Sequence, residues 1–494
     1  MVGRQLPDEP AQPAYRYAYM LRVRPLLLCS VLLATTIVVA PVRAQSGADL
    51  VDACRSSGGS EQLCLGIKHE IEMAGRVCRS AGGGDACNSI DGRQINKFLV
   101  DAHERSWLAG ALSLQHSLGD DLPIHEAFWA HTHNSFNNEA LSPTLSSIDP
   151  NQTYSVTDQL RMGIRAIELD VHWAPHPQGD PLNGFNAAVL CHGEPIPIGA
   201  FVFHFGCTVD RLLRDGLQEI RAWLDANPDE VIMVYLENTL DSNPIAHDTA
   251  AGDISDVLGD LAYKSSPPCT PLPMQISRSE IRASGARVLL TGNCGPGSAW
   301  GSLVFERGPL WDESGIDYGD DFPAYPCTSE RAEHDYSKNL VRRYGDETGL
   351  SLALGGGGDV TVTDAYNMAR CGVDMLGFDH LVAFDPRMFA EVWSWAVDEP
   401  GPGPCAYHGS DGRFYADDCL EVRPFVCQAG DTWIQTTSSG SWDKGADACA
   451  AVGATFAVPK NGYDNERVKQ AKGSGEAWMN YSEIPDAGWT PDTA

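Results

Sequence analysis

The sequence predicts an α/β protein whose main part is a β/α barrel, with a small helical, disulfide-pinned region before it and a small cysteine-rich domain after it. Two observations lead to this prediction. From about Ile124 onwards, short apolar segments alternate with amphipathic helical patterns, which is typical of a sheet that is at least partly parallel. Polar clusters follow four successive apolar segments, at the position where β/α barrels carry functional side chains.

Residues 1–44 have the pattern of an export signal. Arg22 and Arg24 precede an apolar run over residues 26–40, which ends at the small-residue site Val42-Arg43-Ala44. This run is shorter than the roughly 20 residues that cross a bilayer. We therefore expect cleavage after Ala44 and a secreted, extracellular protein.

Residues 45–122 are predicted to form a helical leader. Helical patterns over residues 65–73 and 95–118 alternate with glycine-rich breaks. Of the 15 cysteines, Cys29 lies in the export signal, so an even number remains for disulfides in an oxidising compartment. The cysteines of the leader are Cys54, Cys64, Cys78 and Cys87.

The barrel is predicted over residues 123–398. Helical patterns at residues 209–224 and 386–396 lie between or after its apolar segments. The predicted strands are residues 127–131, 165–171, 187–191, 230–236, 287–290 and 375–378. Residues 399–404 are a proline and glycine linker, and residues 405–494 form a small tail that contains cysteine and tryptophan.

The formal net charge of −31 excludes nucleic acid as a partner, because binding to polyanions needs basic clusters that the sequence lacks. The same charge opposes binding to anionic bilayers. Any contact with a membrane surface is therefore expected to be transient and to use local apolar or metal-mediated contacts.

Three carboxylates and one amide form the predicted metal site. Glu168 and Asp170 lie two residues apart on one predicted strand, so both side chains point to the same face. Like charges this close are costly unless a cation binds between them. With Glu237 and the amide oxygen of Asn134 the set contains only oxygen ligands, which favours calcium over zinc.

Two histidines remain for proton transfer. His133 and His192 follow different predicted strands and are expected to lie on either side of one substrate. A general base, a general acid and a metal ion are the groups that cleavage of a phosphodiester needs. We interpret His131 and His172 as structural, and we expect Cys191, beside His192, to form a disulfide with Cys207.

Four segments carry a resemblance to the X region of phosphatidylinositol-specific phospholipases C, in particular to its calcium-dependent branch: AHTHNSF (130–136), GIRAIELD (163–170), CHG (191–193) and YLEN (235–238). The resemblance extends from about Pro123 to Trp395. In the metal-independent bacterial members an arginine stands where this chain has Asp170. An aspartate there, with Asn134 after the first histidine, implies calcium.

The resemblance implies a TIM-type β/α barrel of the phospholipase C kind that acts on the membrane phospholipid phosphatidylinositol. The inositol 2-hydroxyl is then the nucleophile, and the products are diacylglycerol and a cyclic inositol phosphate. His133 would contact the phosphate or act as base, and His192 would protonate the departing oxygen. The residues implied as Ca²⁺ ligands are Asn134, Glu168, Asp170 and Glu237.

Two other features bear on what the chain binds. Eukaryotic members carry lysines on the fifth strand to hold ring phosphates, whereas this chain has Leu290-Thr291-Gly292-Asn293, so plain or glycosylated phosphatidylinositol is the expected substrate. The tail resembles fragments of C-type lectin-like domains in a changed order, which raises carbohydrate binding as an expectation. Trp173 and Phe185 are expected to pack over the barrel rather than insert into a bilayer.

Two alternative functions stay open at this point. Glycerophosphodiesterase and sphingomyelinase D barrels also use two histidines and a Glu-x-Asp pair with a divalent metal, although Asn134 and its THNSFN context speak against them. The other alternative is a catalytically inactive, secreted, lectin-like binding protein.

Overall fold

The structure is a computed structural model, and it describes residues 93–138, 140, 150–183, 185–192, 195–198, 201–204, 211–240, 243–295, 297–316, 321–347, 357–485 and 488–492, with backbone only for 93–97, 183, 195–198, 201–204 and 298. The predicted export signal, its cleavage site and the four leader cysteines lie outside these residues. None of the described helices is long and apolar enough to cross a membrane.

The helices are α1 (Arg93–His103), α2 (Trp107–Leu118), α3 (Val156–Arg161), α4 (Leu213–Ala226), α5 (Pro244–Leu258), α6 (Arg278–Ala283), α7 (Ser298–Leu303), α8 (Thr328–Glu333), α9 (Val362–Cys371), α10 (Pro386–Glu391), α11 (Gly445–Ala450) and α12 (Gly462–Lys472). The strands are β1 (Trp129–Thr132), β2 (Ala166–Asp180), β3 (Asn186–Leu190), β4 (Pro195–Ile198), β5 (Phe201–His204), β6 (Ile232–Thr239), β7 (Val288–Gly292), β8 (Phe305–Glu306), β9 (Trp311–Gly315), β10 (Leu340–Tyr344), β11 (Met375–Phe378), β12 (Cys405–His408), β13 (Phe414–Asp417), β14 (Arg423–Ala429), β15 (Thr432–Gly440), β16 (Thr455–Phe456), β17 (Ala477–Ile484) and β18 (Gly488–Thr490).

Eight parallel strands form the main sheet. Pairing leads from β1 to β2, β6, β7 and β8 on one side, and to β11, β10 and β9 on the other. This is the strand order of a β/α barrel, in which neighbours in the sheet are neighbours along the chain. Among the described residues β8 and β9 do not pair, so the barrel is open at this seam. The predicted α/β class and barrel architecture are confirmed.

The interior of the barrel changes character along the strands. Because side chains alternate between the two faces of a strand, every second residue points inward. Toward the amino ends of the strands the inward residues are apolar and form one buried cluster, with Trp129, Ala166, Met233, Leu289, Leu340 and Met375 among its members. Toward the carboxyl ends the same faces carry polar groups, namely His131, Glu168, Asp170, Tyr235, Glu237 and Arg342.

One predicted barrel strand was wrong. Residues 187–191 lie largely in β3, which pairs antiparallel with β2 and is not a barrel strand. The reason is the length of β2, which continues to Asp180 after its last pairing with β6, between His172 and Thr239. The chain then turns through a 3-10 helix at Pro181–Asn183, so the apolar segment that follows returns beside β2.

Three barrel strands were not predicted. β8 has only two residues, β9 is rich in polar residues and β10 contains two adjacent arginines, so none of the three has the apolar pattern of a buried strand. The helix predicted at residues 386–396 ends earlier, at Glu391, as α10. The helix predicted at residues 209–224 is described from Leu213 onwards, as α4.

Disulfides link elements of the barrel and of the tail. The described pairs are Cys269–Cys294, Cys327–Cys371, Cys405–Cys419 and Cys427–Cys449. Cys191 is also disulfide-bonded, and Cys207, its predicted partner, lies outside the described residues.

The tail packs directly on the barrel. Its main sheet has the strand order β13-β12-β17-β14-β15. Phe414 exchanges backbone hydrogen bonds with Ser394 and Ala396, at 2.9 and 3.0 Å. Trp395, at the end of the barrel, stacks edge-on against Phe414 and Trp489 of the tail. The two predicted domains therefore share buried aromatic side chains.

Candidate active site

The polar side chains predicted to carry chemistry lie at the carboxyl edge of the barrel. β2 and β6 are neighbours, and their pairing places Asp170 directly beside Glu237. His133 and Asn134 follow β1, the other neighbour of β2. The structure therefore brings the predicted residues of three adjacent strands to one rim.

Glu168, Asp170 and Glu237 form a carboxylate cluster. Each offers one oxygen, and these oxygens lie within 4.8 Å of one another, close enough to hold a metal ion. Burial and the charges of Glu237 and Glu168 raise the pKa of Asp170 well above its ordinary value. Glu237 is the exposed member, yet desolvation of its carboxylate and the charge of Glu168 raise its pKa as well. The cluster thus favours uptake of a proton or a cation.

Asn134 lies between the carboxylates and the histidines, and its backbone has a φ of 45°. In one orientation its amide oxygen faces the two carboxylate oxygens of Asp170, at 3.1 and 2.9 Å. In the flipped orientation the amide nitrogen donates to these oxygens, and the amide oxygen accepts from Nε2 of His133 at 3.2 Å and of His192 at 3.1 Å. The first orientation brings like charges together and suits a bound cation, whereas the second satisfies every group without one.

His133 is paired with a carboxylate from β11. Its Nδ1 lies 3.1 Å from Oδ1 of Asp379, which follows that strand. Burial acts to lower the pKa of His133, but the charges of Asp379 and Glu168 outweigh it and raise this pKa to about 9. Asp346 could join these two residues in a second group of metal ligands, but the direct hydrogen bond indicates an ion pair.

His192 reaches the same rim by a different route. Because β3 returns beside β2, the backbone nitrogen of Cys191 donates to the carbonyl of Asp170 at 3.1 Å, and His192 follows immediately. Its Nδ1 lies 3.4 Å from the amide nitrogen of Asn137. Burial and the positive charge of His133 lower the pKa of His192. The two histidines therefore differ in their preferred protonation state.

Arg342 is a buried cation that the sequence did not predict. Its Nη2 donates to Oε2 of Glu168 at 2.5 Å, and its Nη1 donates to Glu313 at 3.0 Å. The backbone nitrogen of Asn134 donates to the same Oε2 at 3.1 Å. Oε2 of Glu168 therefore accepts two hydrogen bonds that fix the position of this carboxylate.

His131 belongs to this support and not to the reacting surface. Arg342 Nε donates to its Nε2 at 3.1 Å, so its Nδ1 carries the hydrogen and donates to the carbonyl of Ala166. Burial and the charge of Arg342 keep its pKa well below the ordinary value. His131 is thus a neutral, structural histidine.

Tyr344 adds an aromatic wall beside His133. The two ring centroids are 4.7 Å apart, and the guanidinium of Arg342 lies 4.3 Å from the centroid of the tyrosine ring. Tyr344 and Arg342 both belong to β10, the strand that was not predicted because it contains two adjacent arginines.

Asp379 was also missed, although the sequence contains a signal for it. It directly follows the predicted strand at residues 375–378. Two predicted site residues have the same kind of position: His192 directly follows a predicted strand, and Asn134 lies close to the end of one. Gln152 supports this corner, because its amide donates to the carbonyls of His133 and Phe378 at 2.6 and 2.7 Å.

Comparison with known proteins identifies relatives of the chain. The family model described as "Rv2075c PI-PLC-like domain" matches residues 92–385. The protein Rv2075c of Mycobacterium tuberculosis is 36% identical over 444 residues, which are 85% of this chain and 88% of the relative.

Solved structures of lower similarity are also found. Phosphatidylinositol-specific phospholipase C of Listeria monocytogenes shares 17% identity at a TM-score of 0.35, and the match covers 55% of this chain and 95% of that one. A calcium-dependent phosphoinositol-specific phospholipase C of a Pseudomonas species shares 12% at a TM-score of 0.31, covering 55% and 92%. The family match supports the predicted class of a phosphodiester hydrolase, and together with the relative it shows that the chain belongs to the Rv2075c PI-PLC-like family.

Proposed function

We propose that this protein is a secreted phospholipase C that cleaves phosphatidylinositol, or a glycosylated form of it, with the help of calcium. The products would be diacylglycerol and a cyclic inositol phosphate. The observation that carries the proposal is the placement of Asn134, which contacts Asp170 of the carboxylate cluster on one side and lies 3.2 and 3.1 Å from Nε2 of His133 and His192 on the other. A phosphate between the histidines would lie next to a metal on the carboxylates.

The chain's own groups suit the proton transfers of this reaction. Asp379 holds Nδ1 of His133, so Nε2 faces the site, and the raised pKa favours the charged form that contacts a phosphate. His192 would protonate the departing diacylglycerol oxygen, since an anionic phosphate opposes the effects that lower its pKa. Glu237, with its raised pKa, is suited to remove the proton from the inositol 2-hydroxyl, a role that His133 cannot take while it is charged.

The donor set fits calcium. Glu168, Asp170, Glu237 and the amide oxygen of Asn134 would hold the ion, and a set made only of oxygens favours a hard cation. When bound, calcium supplies positive charge against the phosphoryl oxygens and the 2-hydroxyl. Arg342 keeps Glu168 in place, because its guanidinium donates to Oε2 of that carboxylate.

The rim offers little to hold extra ring phosphates, which supports a preference for unphosphorylated inositol. In place of lysines, β7 ends with Thr291 and Gly292. Arg307 lies nearby, but its guanidinium already has two partners. It donates to the carboxylate of Glu313 at 2.5 Å and to the side-chain oxygen of Asn293 at 2.9 Å. A cation that is already neutralised attracts a ring phosphate weakly.

Export is supported by two independent features. The pattern of residues 1–44 is that of an export signal. The described disulfides, such as Cys405–Cys419 and Cys427–Cys449, are typical of proteins that fold outside the reducing cytoplasm.

The test is hydrolysis of phosphatidylinositol vesicles, with release of diacylglycerol as the readout. We expect activity with calcium, loss with a chelator, and loss in His133→Ala and His192→Ala. His334→Ala is the matched control, because His334 pairs with Asp312 on the outer side of β9. Release of a lysolipid phosphate or a free alcohol would instead indicate the glycerophosphodiesterase or sphingomyelinase D reaction, and absence of all three products would refute the enzymatic proposal.

A further inference from the structure

Two buried asparagines connect the histidines of the candidate active site. The amide nitrogen of Asn151 donates to Oδ2 of Asp379 at 2.9 Å, and the amide nitrogen of Asn137 donates to the side-chain oxygen of Asn151 at 2.7 Å. The same nitrogen of Asn137 lies 3.4 Å from Nδ1 of His192. Because Asp379 also accepts from Nδ1 of His133, these side chains form one continuous chain of hydrogen bonds between the two rings. We call Asn137 and Asn151 the amide relay.

The orientation of each amide is fixed by its neighbour, starting at Asp379. Oδ2 of this carboxylate also accepts from the backbone nitrogen of Glu347 at 2.9 Å, and an ionised carboxylate can only accept. Asn151 must therefore turn its nitrogen to Asp379 and its oxygen to Asn137. Asn137 must in turn direct its nitrogen to Asn151, and the second hydrogen of that nitrogen is left for His192. A flip of either amide alone would bring two oxygens together.

The backbone holds the amide relay in place. The backbone nitrogen of Asn137 donates to the carbonyl of Asn134 at 2.9 Å, and the backbone nitrogen of Gln152 donates to the carbonyl of Asn137 at 2.9 Å. The backbone nitrogen of His380 donates to the carbonyl of Asn151 at 2.6 Å. Both asparagines are buried, with exposed fractions of 1% and 0%. The two amides therefore have little freedom to exchange their partners.

His192 is positioned at the other end of the amide relay by the hairpin of β2 and β3. β3 leads directly to it, and the small buried core of this hairpin includes the disulfide-bonded Cys191. The tip of the hairpin adds no such support, because Phe185 there is 55% exposed, and the expectation that Phe185 packs over the barrel was wrong. Nδ1 of His192 faces Asn137, and its Nε2 faces Asn134.

The amide nitrogen that meets His192 determines which of its ring nitrogens carries the proton. An amide nitrogen donates and does not accept, so Nδ1 must accept, and the single proton of the neutral ring is then on Nε2. His133 has the opposite arrangement, because its Nδ1 donates directly to the carboxylate of Asp379. The same carboxylate therefore presents an acceptor to one histidine and, through the amide relay, a donor to the other.

We propose that the amide relay holds the proton of neutral His192 on Nε2, so that the ring presents an N–H and not a lone pair to the substrate. This role rests on the proposed function, in which His192 meets the departing diacylglycerol oxygen. A group that protonates this oxygen must carry its proton on the nitrogen that faces the site, whereas a lone pair there would make it a base. Asn137 and Asn151 are positioning residues, because they act through His192.

The experiment determines the tautomer of His192 by NMR of the imidazole nitrogens, in the full chain isotope-labelled at histidine, without lipid and at a pH where the ring is neutral. The His192→Ala variant identifies the signal by its absence. We expect the wild type to carry the proton on Nε2. Asn137→Ala removes the donor, so the fraction with the proton on Nδ1 should rise. Asn137→Asp places an acceptor beside Nδ1 and should move the proton there.

Asn367→Ala is the matched control. Asn367 is a buried asparagine of α9 whose amide donates to the carbonyl of Phe322 at 2.9 Å, and its loss should leave the tautomer of His192 unchanged. Asn151→Leu removes the group that orients Asn137 and should act in the same direction as Asn137→Ala. It replaces the Asn137 variants if circular dichroism shows that they do not fold, and the measurement on the wild type needs no variant.

Turnover of phosphatidylinositol gives a second readout that a purely structural role would not produce. In Asn137→Asp, kcat should fall about 10²-fold or more, because the ring then turns a lone pair to the departing oxygen. KM should change little, since the variant removes an interaction that matters in the transition state and leaves the groups that contact the substrate in place. A rise in KM at unchanged kcat would contradict this role.

Three results would overturn the proposal: a neutral wild-type His192 with its proton on Nδ1, a proton that stays on Nε2 in Asn137→Asp, or an equal change of tautomer in Asn367→Ala. The tautomer is measured without substrate, so it is independent of the proposed function. A wild type with the expected tautomer that never cleaves phosphatidylinositol would refute the proposed function and leave the amide relay standing. Cleavage by a protein whose His192 carries the proton on Nδ1 would do the reverse.

Discussion

Nδ1 of His133 lies 3.1 Å from the carboxylate of Asp379, so a residue near the start of the barrel is oriented by one that follows its last parallel strand. Asp379 is fixed in turn by the amide of Asn151 and the backbone nitrogen of Glu347, both at 2.9 Å. This arrangement turns Nε2 of His133 toward Asn134. The pair of His133 and Asp379, which we call the His133–Asp379 dyad, therefore sets both the orientation and the charge of the histidine.

Asp379→Asn is expected to reduce turnover about 10²- to 10⁴-fold, the usual contribution of a positioned acid or base. Burial acts to lower the pKa of His133, and Asp379 is the foremost group that raises it, so this pKa should fall in the variant. NMR titration of His133 in both proteins measures the shift. An unchanged pKa, or unchanged turnover, would show that the pair has no catalytic role.

The same dyad predicts how stability depends on pH. The pKa of His133 is raised from 6.5 to about 9 in the folded protein, so the folded state binds the proton more tightly than the unfolded chain. Its contribution is fully present below pH 6.5 and is lost as pH rises through about 9. We expect the stability advantage of the wild type over Asp379→Asn to shrink by about 1–3 kcal/mol across this window, as measured by urea unfolding at several pH values.

Arg342→Met is expected to destabilise the protein by about 3–5 kcal/mol, because it leaves the buried carboxylate of Glu168 without its cation. The double variant with Glu168→Gln should recover part of this loss. Arg214→Met is the control: it removes a more exposed arginine that pairs with Asp253 and Asp256, and because water screens this pair its loss should destabilise the protein far less. Urea unfolding measures the loss of stability in each variant. Equal losses in the two single variants would show that the buried ion pair contributes no more to stability than the exposed one.

Asp170→Asn is expected to weaken calcium binding by about 10- to 100-fold or more, since it removes a buried anionic ligand. Isothermal titration calorimetry measures the affinity directly. Because the pKa of Asp170 is raised well above its ordinary value, protons compete for the site, and the affinity of the wild type should fall as the pH is lowered. Glu313→Gln, at a carboxylate outside the cluster, is the comparison; an equal loss there would place the ion elsewhere.

A chain that ends at residue 398 is expected to be much less stable than the full chain. Trp395 is buried against Phe414 and Trp489, and truncation would expose it and remove the backbone hydrogen bonds of Phe414. Thermal unfolding of both forms tests this. A truncated chain with the same melting temperature would instead support an independent barrel domain ending at the predicted linker.

Alternation and position along the strands were enough to predict part of the site. Glu168 and Asp170 share a face because a strand repeats every two residues, and Glu237 lies beside Asp170 in the neighbouring strand. His192 was expected at the rim for a reason that was wrong, since β3 is antiparallel. It arrives there because β3 returns along β2 to the level of Asp170.

Arg342 could not be predicted in this way. Two adjacent arginines in β10 are typical of a solvated segment, and their burial is stabilised by carboxylates that are distant in sequence. The burial of Arg342 is stabilised by Glu168 and Glu313, which accept hydrogen bonds from it inside the barrel. Arg343 points outward, and its Nη2 donates to Oε1 of Glu330 at 2.5 Å. Such long-range pairs arise only once the strands have assembled into the sheet, so no local pattern contains them.

The calcium dependence of phosphatidylinositol cleavage tests the central claim most directly. Diacylglycerol release from mixed phosphatidylcholine and phosphatidylinositol vesicles is measured during a calcium titration, with wild type and Asp170→Asn side by side. The account predicts no release in chelator, a saturable rise with calcium in the wild type, and a curve shifted to higher calcium in the variant. Release that persists in chelator, or identical curves for the two proteins, would contradict the assignment of the carboxylate cluster as the metal site of this reaction.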